Sequence, residues 1–206
     1  MKKFVLLLAM LPFISCAQTF TFGLKGGLNL NRLVFTQQDF TSSNYNLGYT
    51  GGLFFIFQSE HFYLQPEIIL SQKNGNYKFS SSAAPDTTFL NKIDYVDIPM
   101  IGGIRFGKHF KLGTGPIFYI LTEDDIKYKI DGNSLTLAIN DKSFKTLNFG
   151  WQTGICIEVA HFLFEFRYEY GINHLIKEVK IPKSNTTLKP IAKNNLFQLT
   201  VGLRFL

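Results

Sequence analysis

Only two cysteines occur in the chain, Cys16 and Cys156, so if Cys16 leaves with a targeting segment no intrachain disulfide can form. Charge is scarce as well: Asp, Glu, Lys and Arg make up 17% of the residues against a usual ~25%. Beyond the N-terminus no stretch offers the ~20 consecutive apolar residues of a membrane-spanning helix, which excludes an inner-membrane helical protein. No cluster of His, Cys, Asp or Glu has metal-ligand spacing, and no helical pattern follows Gly26-Gly27 or Gly102-Gly103, as a phosphate-binding loop would need. What is abundant is aromatic: 16% of the chain, with 22 phenylalanines. A soluble domain of this size has few places to hide so many rings, whereas a sheet facing lipid has no need to hide them.

The N-terminus reads as a secretory signal. Lys2 and Lys3 precede an apolar run over 4–14, and Ser15-Cys16-Ala17 supplies small residues for cleavage before Gln18. The expected division is a signal peptide over 1–17 and a single domain over 18–206, with lipoprotein-type processing at Cys16 as the alternative. Loss of Lys2 and Lys3 lowers the formal charge from +6 to about +4. The remaining basic residues are scattered or lie in links, which implies no nucleic-acid partner.

Throughout the mature chain apolar residues recur at period two. Phe20, Phe22, Leu24, Leu28 and Leu30 share one face of a first segment. Tyr45, Leu47, Tyr49, Leu53, Phe55 and Phe57 mark a second, and Phe62, Leu64, Ile68 and Leu70 a third. Val96, Ile98, Met100, Ile104 and Phe106 mark the fourth; Phe110, Leu112, Phe118 and Ile120 the fifth. The last three are clearest: Leu147 to Val159, Phe162 to Tyr170 and Phe197 to Phe205 alternate almost without fault. Each segment is near the ~9–11 residues of a tilted transmembrane strand. Links over 58–61, 107–109 and 160–161 are short, whereas those over 32–44, 74–92, 122–146 and 171–194 are long and polar. Strict alternation of short and long puts all tight turns at one end, as in outer-membrane barrels. Within 126–139, two alternating arms flank Asp131-Gly132-Asn133, a hairpin signal; each arm is too short to span lipid, so a projecting hairpin is expected, with a ten-stranded barrel as the alternative to eight.

The expected fold is therefore all-β: a closed antiparallel up-and-down transmembrane β-barrel. Backbone groups in lipid must all be paired, and only a closed barrel achieves this with strands. Aromatics collect by strand end. Phe20, Phe22, Phe57, Phe62, Phe106, Phe110, Phe162 and Phe205 fall toward the short turns; Tyr45, Tyr49, Phe118, Phe149, Trp151, Tyr168, Tyr170 and Phe197 fall toward the long links. The opposite face carries Lys25, Glu67, Asp97, Arg105, Glu158, Glu165, Arg167, Glu169 and Arg204. Eight strands leave room only for side chains, so these charges are expected to pair in a lumen ion network rather than line a pore.

Several segments resemble those of PorT-like outer-membrane barrel proteins. Gly23-Leu24-Lys25-Gly26-Gly27-Leu28-Asn29 resembles that family's opening strand, and Leu64-Gln65-Pro66-Glu67 with Ser71-Gln72-Lys73-Asn74-Gly75 its next landmark. Asp94-Tyr95-Val96-Asp97-Ile98-Pro99 and Gly113-Thr114-Gly115-Pro116 are similar to later ones. Gly202-Leu203-Arg204-Phe205-Leu206 resembles the C-terminal signal read by the barrel-insertion machinery, although Leu206 stands where an aromatic is usual. The resemblance implies a Gram-negative outer membrane as the location, and bulges where Pro66 and Pro99 interrupt strands.

No enzyme site is legible. His61, His109 and His161 fall in short turns, and Asp124, Asp125 and His174 in long links form no spacing motif. No cofactor is expected. The reading is a non-enzymatic outer-membrane protein displaying loops for surface interaction or envelope integrity, with outer-membrane lipid, the insertion machinery and envelope proteins as partners. An accessory role in a secretion or transport assembly, suggested by the family, is the alternative; a soluble lipocalin-like barrel, with its apolar face inward, is the structural rival. Fractionation separates these: the mature protein should leave the membrane only with detergent, and recovery in a plain aqueous extract would contradict the membrane reading.

Overall fold

A computed structural model describes residues 19–35, 40–42, 44–81, 84–130, 133–135, 145–175, 179–180, 187–188 and 191–205. The signal peptide expected over 1–17, and Asp131, Gly132, Leu137 and Ile139 of the expected hairpin, lie outside the described residues.

Eight strands close on themselves: β1 (Thr19–Phe35), β2 (Asn46–Gln58), β3 (Phe62–Gln72), β4 (Ala84–Phe106), β5 (Phe110–Ile130), β6 (Leu147–Val159), β7 (Phe162–Gly171) and β8 (Ala192–Arg204). Each pairs antiparallel with its chain neighbours, and β1 pairs with β8 to shut the ring. All backbone ladders are thereby internal, the condition lipid imposes. The fold is a closed, antiparallel, up-and-down eight-stranded transmembrane barrel.

Side chains sort by parity. In β7 the odd-spaced apolar set faces outward, with Phe162, Phe164 and Phe166 about half exposed, while Leu163, Glu165, Arg167 and Glu169 are buried inside. β6 and β8 repeat the pattern. Outward apolar residues are the inverse of a lipocalin arrangement, so the soluble-barrel rival is not favoured. Rings cluster on the outer wall at both ends: Phe20 lies 5.1 Å from Phe57, Phe22 5.7 Å from Phe205, and at the far end Phe197 lies 5.1 Å from Tyr168 and 5.8 Å from Tyr45.

Three expectations change. First, the long links after β3 and β5 are not simply polar loops. β4 begins at Ala84 and β5 runs on to Ile130, pairing from Thr87↔Ile130 downward. Gly75–Ser81 and Phe40–Ser42 add to one side of this extension and Asn133–Leu135 to the other. The result is a sheet flap rising past the ring. Its underside alternates as strictly as the barrel wall, with Tyr77, Phe79, Phe89 and Ile93 buried, but Asn, Thr and Lys between them mask the signal. Second, the expected hairpin arm at Ile126 is the upper end of β5 itself, and the ring has eight strands, not ten. Third, Pro66 and Pro99 do not sit at bulges. Register is unbroken on both sides of each (Phe54↔Glu67 and Phe57↔Leu64; Tyr95↔Leu121 and Gly102↔Thr114). The shift lies instead between Asp94 and Tyr95, where Thr122 is the extra residue and its hydroxyl donates to the Asp94 carbonyl at 2.8 Å.

Close strand approach explains certain glycines. A Cβ on Gly27 would meet the Leu199 carbonyl at 2.0 Å, backbone that cannot move aside, whereas one on Gly51 meets nothing nearer than 3.5 Å. Gly27→Ala should therefore destabilise the folded barrel by more than about 2 kcal/mol, and Gly51→Ala should change it little, as read by urea titration in lipid vesicles. Equal effects would contradict this packing.

Candidate functional site

Inward-facing charges come from strands far apart in the ring, and the ring brings them together. At the centre, Lys25 of β1 contacts Glu67 of β3 at 2.6 Å and Glu165 of β7 at 2.7 Å. Arg167 grips Glu67 with both terminal nitrogens, Nη2 at 2.7 Å and Nη1 at 3.1 Å, and reaches Glu165 at 2.7 Å. Two-pronged contacts of this kind are the strong form of the pair. Gln65 Nε2 donates to both carboxylates and Thr200 Oγ1 to Glu165, so two cations, two anions and their amide neighbours form one closed set.

Toward the loops a second set centres on Lys73. Its ammonium lies 3.1 Å from Asp97 and 2.8 Å from Glu169, over the Tyr119 ring at 4.3 Å. Gln152 and Asn194 also donate to Glu169 at 3.0 Å each. Toward the short turns Lys111 pairs with Glu158 at 2.5 Å and lies 5.0 Å from the Tyr63 ring.

Seven of the nine sequence-predicted lumen residues (Lys25, Glu67, Asp97, Glu158, Glu165, Arg167 and Glu169) are thus buried and paired inside the ring. Arg105 and Arg204 lie elsewhere. Arg105 Nη1 donates to the Ser59 carbonyl at 3.1 Å, and Arg204 Nη2 to the Ala160 carbonyl at 2.9 Å, each beside a short turn. Only Arg204 approaches the network, at 3.9 Å from Glu158. Lys73 and Lys111 are the members the sequence reading missed. Both were legible in principle: Lys111 alternates with Phe110 and Leu112, and Lys73 continues the polar face of Gln65, Glu67 and Ser71.

The lumen is also less ionic than expected. Phe54, Ile56, Tyr63, Ile101, Cys156 and Leu163 form a buried apolar layer toward the short turns. At the other end Leu33, Phe40, Tyr77, Phe79, Phe89, Ile93, Tyr95, Ile117, Tyr119, Leu175 and Ala192 pack across the mouth and under the flap. Tyr77 stacks on Phe89 at 4.8 Å and touches Phe35 at 5.0 Å; burial raises its phenol above the ordinary value, against a smaller opposing effect of the Asn91 hydrogen bond. Among the described residues no three His, Cys, Asp or Glu side chains could hold a metal ion together.

A family model described as the outer membrane protein beta-barrel domain matches residues 16–177. No curated protein matches the chain. Among solved structures it is similar to Ail, the attachment invasion locus protein of Yersinia pestis, with 14% identity over 90% of this chain and 98% of that one and a TM-score of 0.45. It is also similar to Neisserial surface protein A, with 10% identity, 91% and 100% coverage and a TM-score of 0.48. OprG from Pseudomonas aeruginosa is a third, at 12% identity, 93% and 99% coverage and 0.43.

Removing one member of a buried ion pair leaves the other charged and unpaired, which costs about 3–5 kcal/mol, while replacing both is often near neutral. Lys111→Met alone should lower stability by that amount, and Lys111→Met with Glu158→Gln should recover most of it. Additive losses in urea titrations would show that the two side chains do not interact.

Proposed function

This chain belongs to the outer membrane protein beta-barrel domain family, and from that premise we propose that it is a non-enzymatic surface-display protein of the cell outer membrane, its lumen plugged by its own side chains. Short turns face the periplasm and the flap faces outward, as in outer-membrane barrels generally. The observation that carries the reading is the filling of the lumen: two apolar layers enclose ion pairs whose members are almost wholly withdrawn from water. Such a barrel supplies a rigid post. What varies with function is then the part held beyond the membrane, where β4 and β5 carry the flap and its edge strands. A filled lumen beneath a projecting sheet fits surface interaction or a contribution to envelope integrity better than solute passage.

Resemblance to PorT-like proteins supports an alternative of the same architecture, an accessory barrel in a secretion or transport assembly. Among the described residues, the buried lumen carboxylates are held by cations and amides, which supports the non-enzymatic reading.

Planar-bilayer recording tests the plug directly. The purified protein should insert without steady conductance steps, and persistent ohmic steps would contradict the proposal. Gentle solubilisation followed by pull-down through the flap should recover no stoichiometric envelope partner; a stoichiometric one would favour the assembly role instead.

A further inference from the structure

On β1 the outward face reads Phe20, Phe22, Leu24, Gly26, Leu28, Leu30 and then Arg32. Ten residue steps from Phe20 to Leu30, at ~3.3 Å each and a tilt of ~40°, cover roughly 25 Å along the membrane normal, the height of a lipid-facing band. Arg32 is therefore the first outward side chain beyond the hydrocarbon, at the depth of lipid headgroups. β8 reaches the same depth from the other direction: Arg32 pairs with Asn195 and Val34 with Lys193. Arg32 and Lys193 are thus diagonal neighbours about 7–8 Å apart, a gap that two long basic side chains close on a single phosphate.

Both cations lie against phenols. The Arg32 guanidinium is 5.9 Å from the Tyr45 ring centroid; Lys193 lies 5.1 Å over Tyr170 and its Nζ donates to the Tyr170 hydroxyl at 2.9 Å. Tyr45 and Tyr170 are themselves exposed on the outer wall. Among the described residues, no carboxylate shares this outward face of β1, β2, β7 and β8; Asp94, Glu123, Asp124 and Asp125 at this end belong to β4 and β5. Among the described residues, Arg32 and Lys193 thus form a cation pair free of neighbouring carboxylates across the seam where the first strand meets the last.

We propose that this face docks a phosphorylated glycolipid of the outer leaflet, one phosphate bridging Arg32 and Lys193. The proposal rests on the outer-membrane placement argued above. Charge complementarity and depth together select a lipid: the same wall continues downward as Leu30, Leu28, Phe197 and Leu199, an apolar track for acyl chains. Tyr45 and Tyr170 supply hydroxyl groups at the level of a headgroup sugar. Because Arg32 stands on β1 and Lys193 on β8, the bridging phosphate also staples the closing seam, so bound lipid should stabilise the folded barrel.

The test uses the full mature chain refolded into phosphatidylcholine vesicles, alone, with diphosphorylated lipid A, or with phosphatidylglycerol at equal charge density. The readout is the temperature at which the fast-migrating folded band is lost on a gel. Lipid A should raise that midpoint by roughly 3–5 °C in the wild type and in Lys92→Gln, an exposed cation on the opposite wall. The double variant R32Q/K193Q should lose most of the rise, and phosphatidylglycerol should produce little. An equal rise in R32Q/K193Q, or equal rises with both lipids, overturns the site. A chain that never enters vesicles contradicts the membrane reading itself, and the site with it.

Discussion

An unpaired backbone amide in hydrocarbon costs several kcal/mol, and that single constraint organises this protein. It forbids an open sheet edge within the bilayer, so β1 must find β8, and it does so over thirteen residue pairs from Gly23↔Arg204 to Phe35↔Ala192. Once the ring is closed, parity of side chains does the rest. Every second residue faces a solvent of acyl chains, which tolerates Leu199 or Phe164 at the surface, and every other residue faces a lumen too narrow to hold much besides side chains.

A narrow lumen could have been filled with apolar groups alone, as the layers around Phe54 and Tyr119 show. The ion pairs between those layers are costly to bury and bring little net stability over a hydrophobic filling. Their geometry suits a different purpose. Lys25, Glu67, Glu165 and Arg167 come from β1, β3 and β7, strands that share no ladder with one another. A one-residue slip of any strand would turn its charge into lipid and leave its partners unpaired. The network thus specifies one register for the whole ring, while the aromatic girdles and the flap core hold the two ends.

Much of this was legible in the sequence because the physics is local along a strand. Phe162, Phe164 and Phe166 alternating with Leu163, Glu165 and Arg167 announce an outward and an inward face without reference to any other strand. Short turns at 107–109 and 160–161 likewise announce themselves. What escaped is non-local. That Lys73 belongs with Asp97 and Glu169, or that Arg105 turns to the Ser59 carbonyl instead of the lumen, depends on stagger between strands, which no single strand records. The flap escaped for a related reason. Over 87–92 Thr88 and Lys92 take outward positions, as water beyond the membrane permits, and Thr87 and Asn91 share the buried face with Phe89, so the hydrophobic contrast that marks a transmembrane strand fades although the strand continues. Tyr77 and Phe89 find their burial only when those extensions pair above the ring.

The central claim is that adjacent residues of one strand see opposite media, acyl chains outside and a sealed interior within. Replacing Cys156 by alanine and placing single cysteines at Leu199 or at Thr200, its inward neighbour, allows a lipid-reporting fluorophore to be attached before refolding into vesicles with brominated acyl chains. The account predicts strong bromine quenching of the label at position 199 with no quenching by a water-soluble agent, and poor refolding or an unquenched label at position 200. Similar quenching at the two positions, or free access of the aqueous agent to position 199, would contradict it.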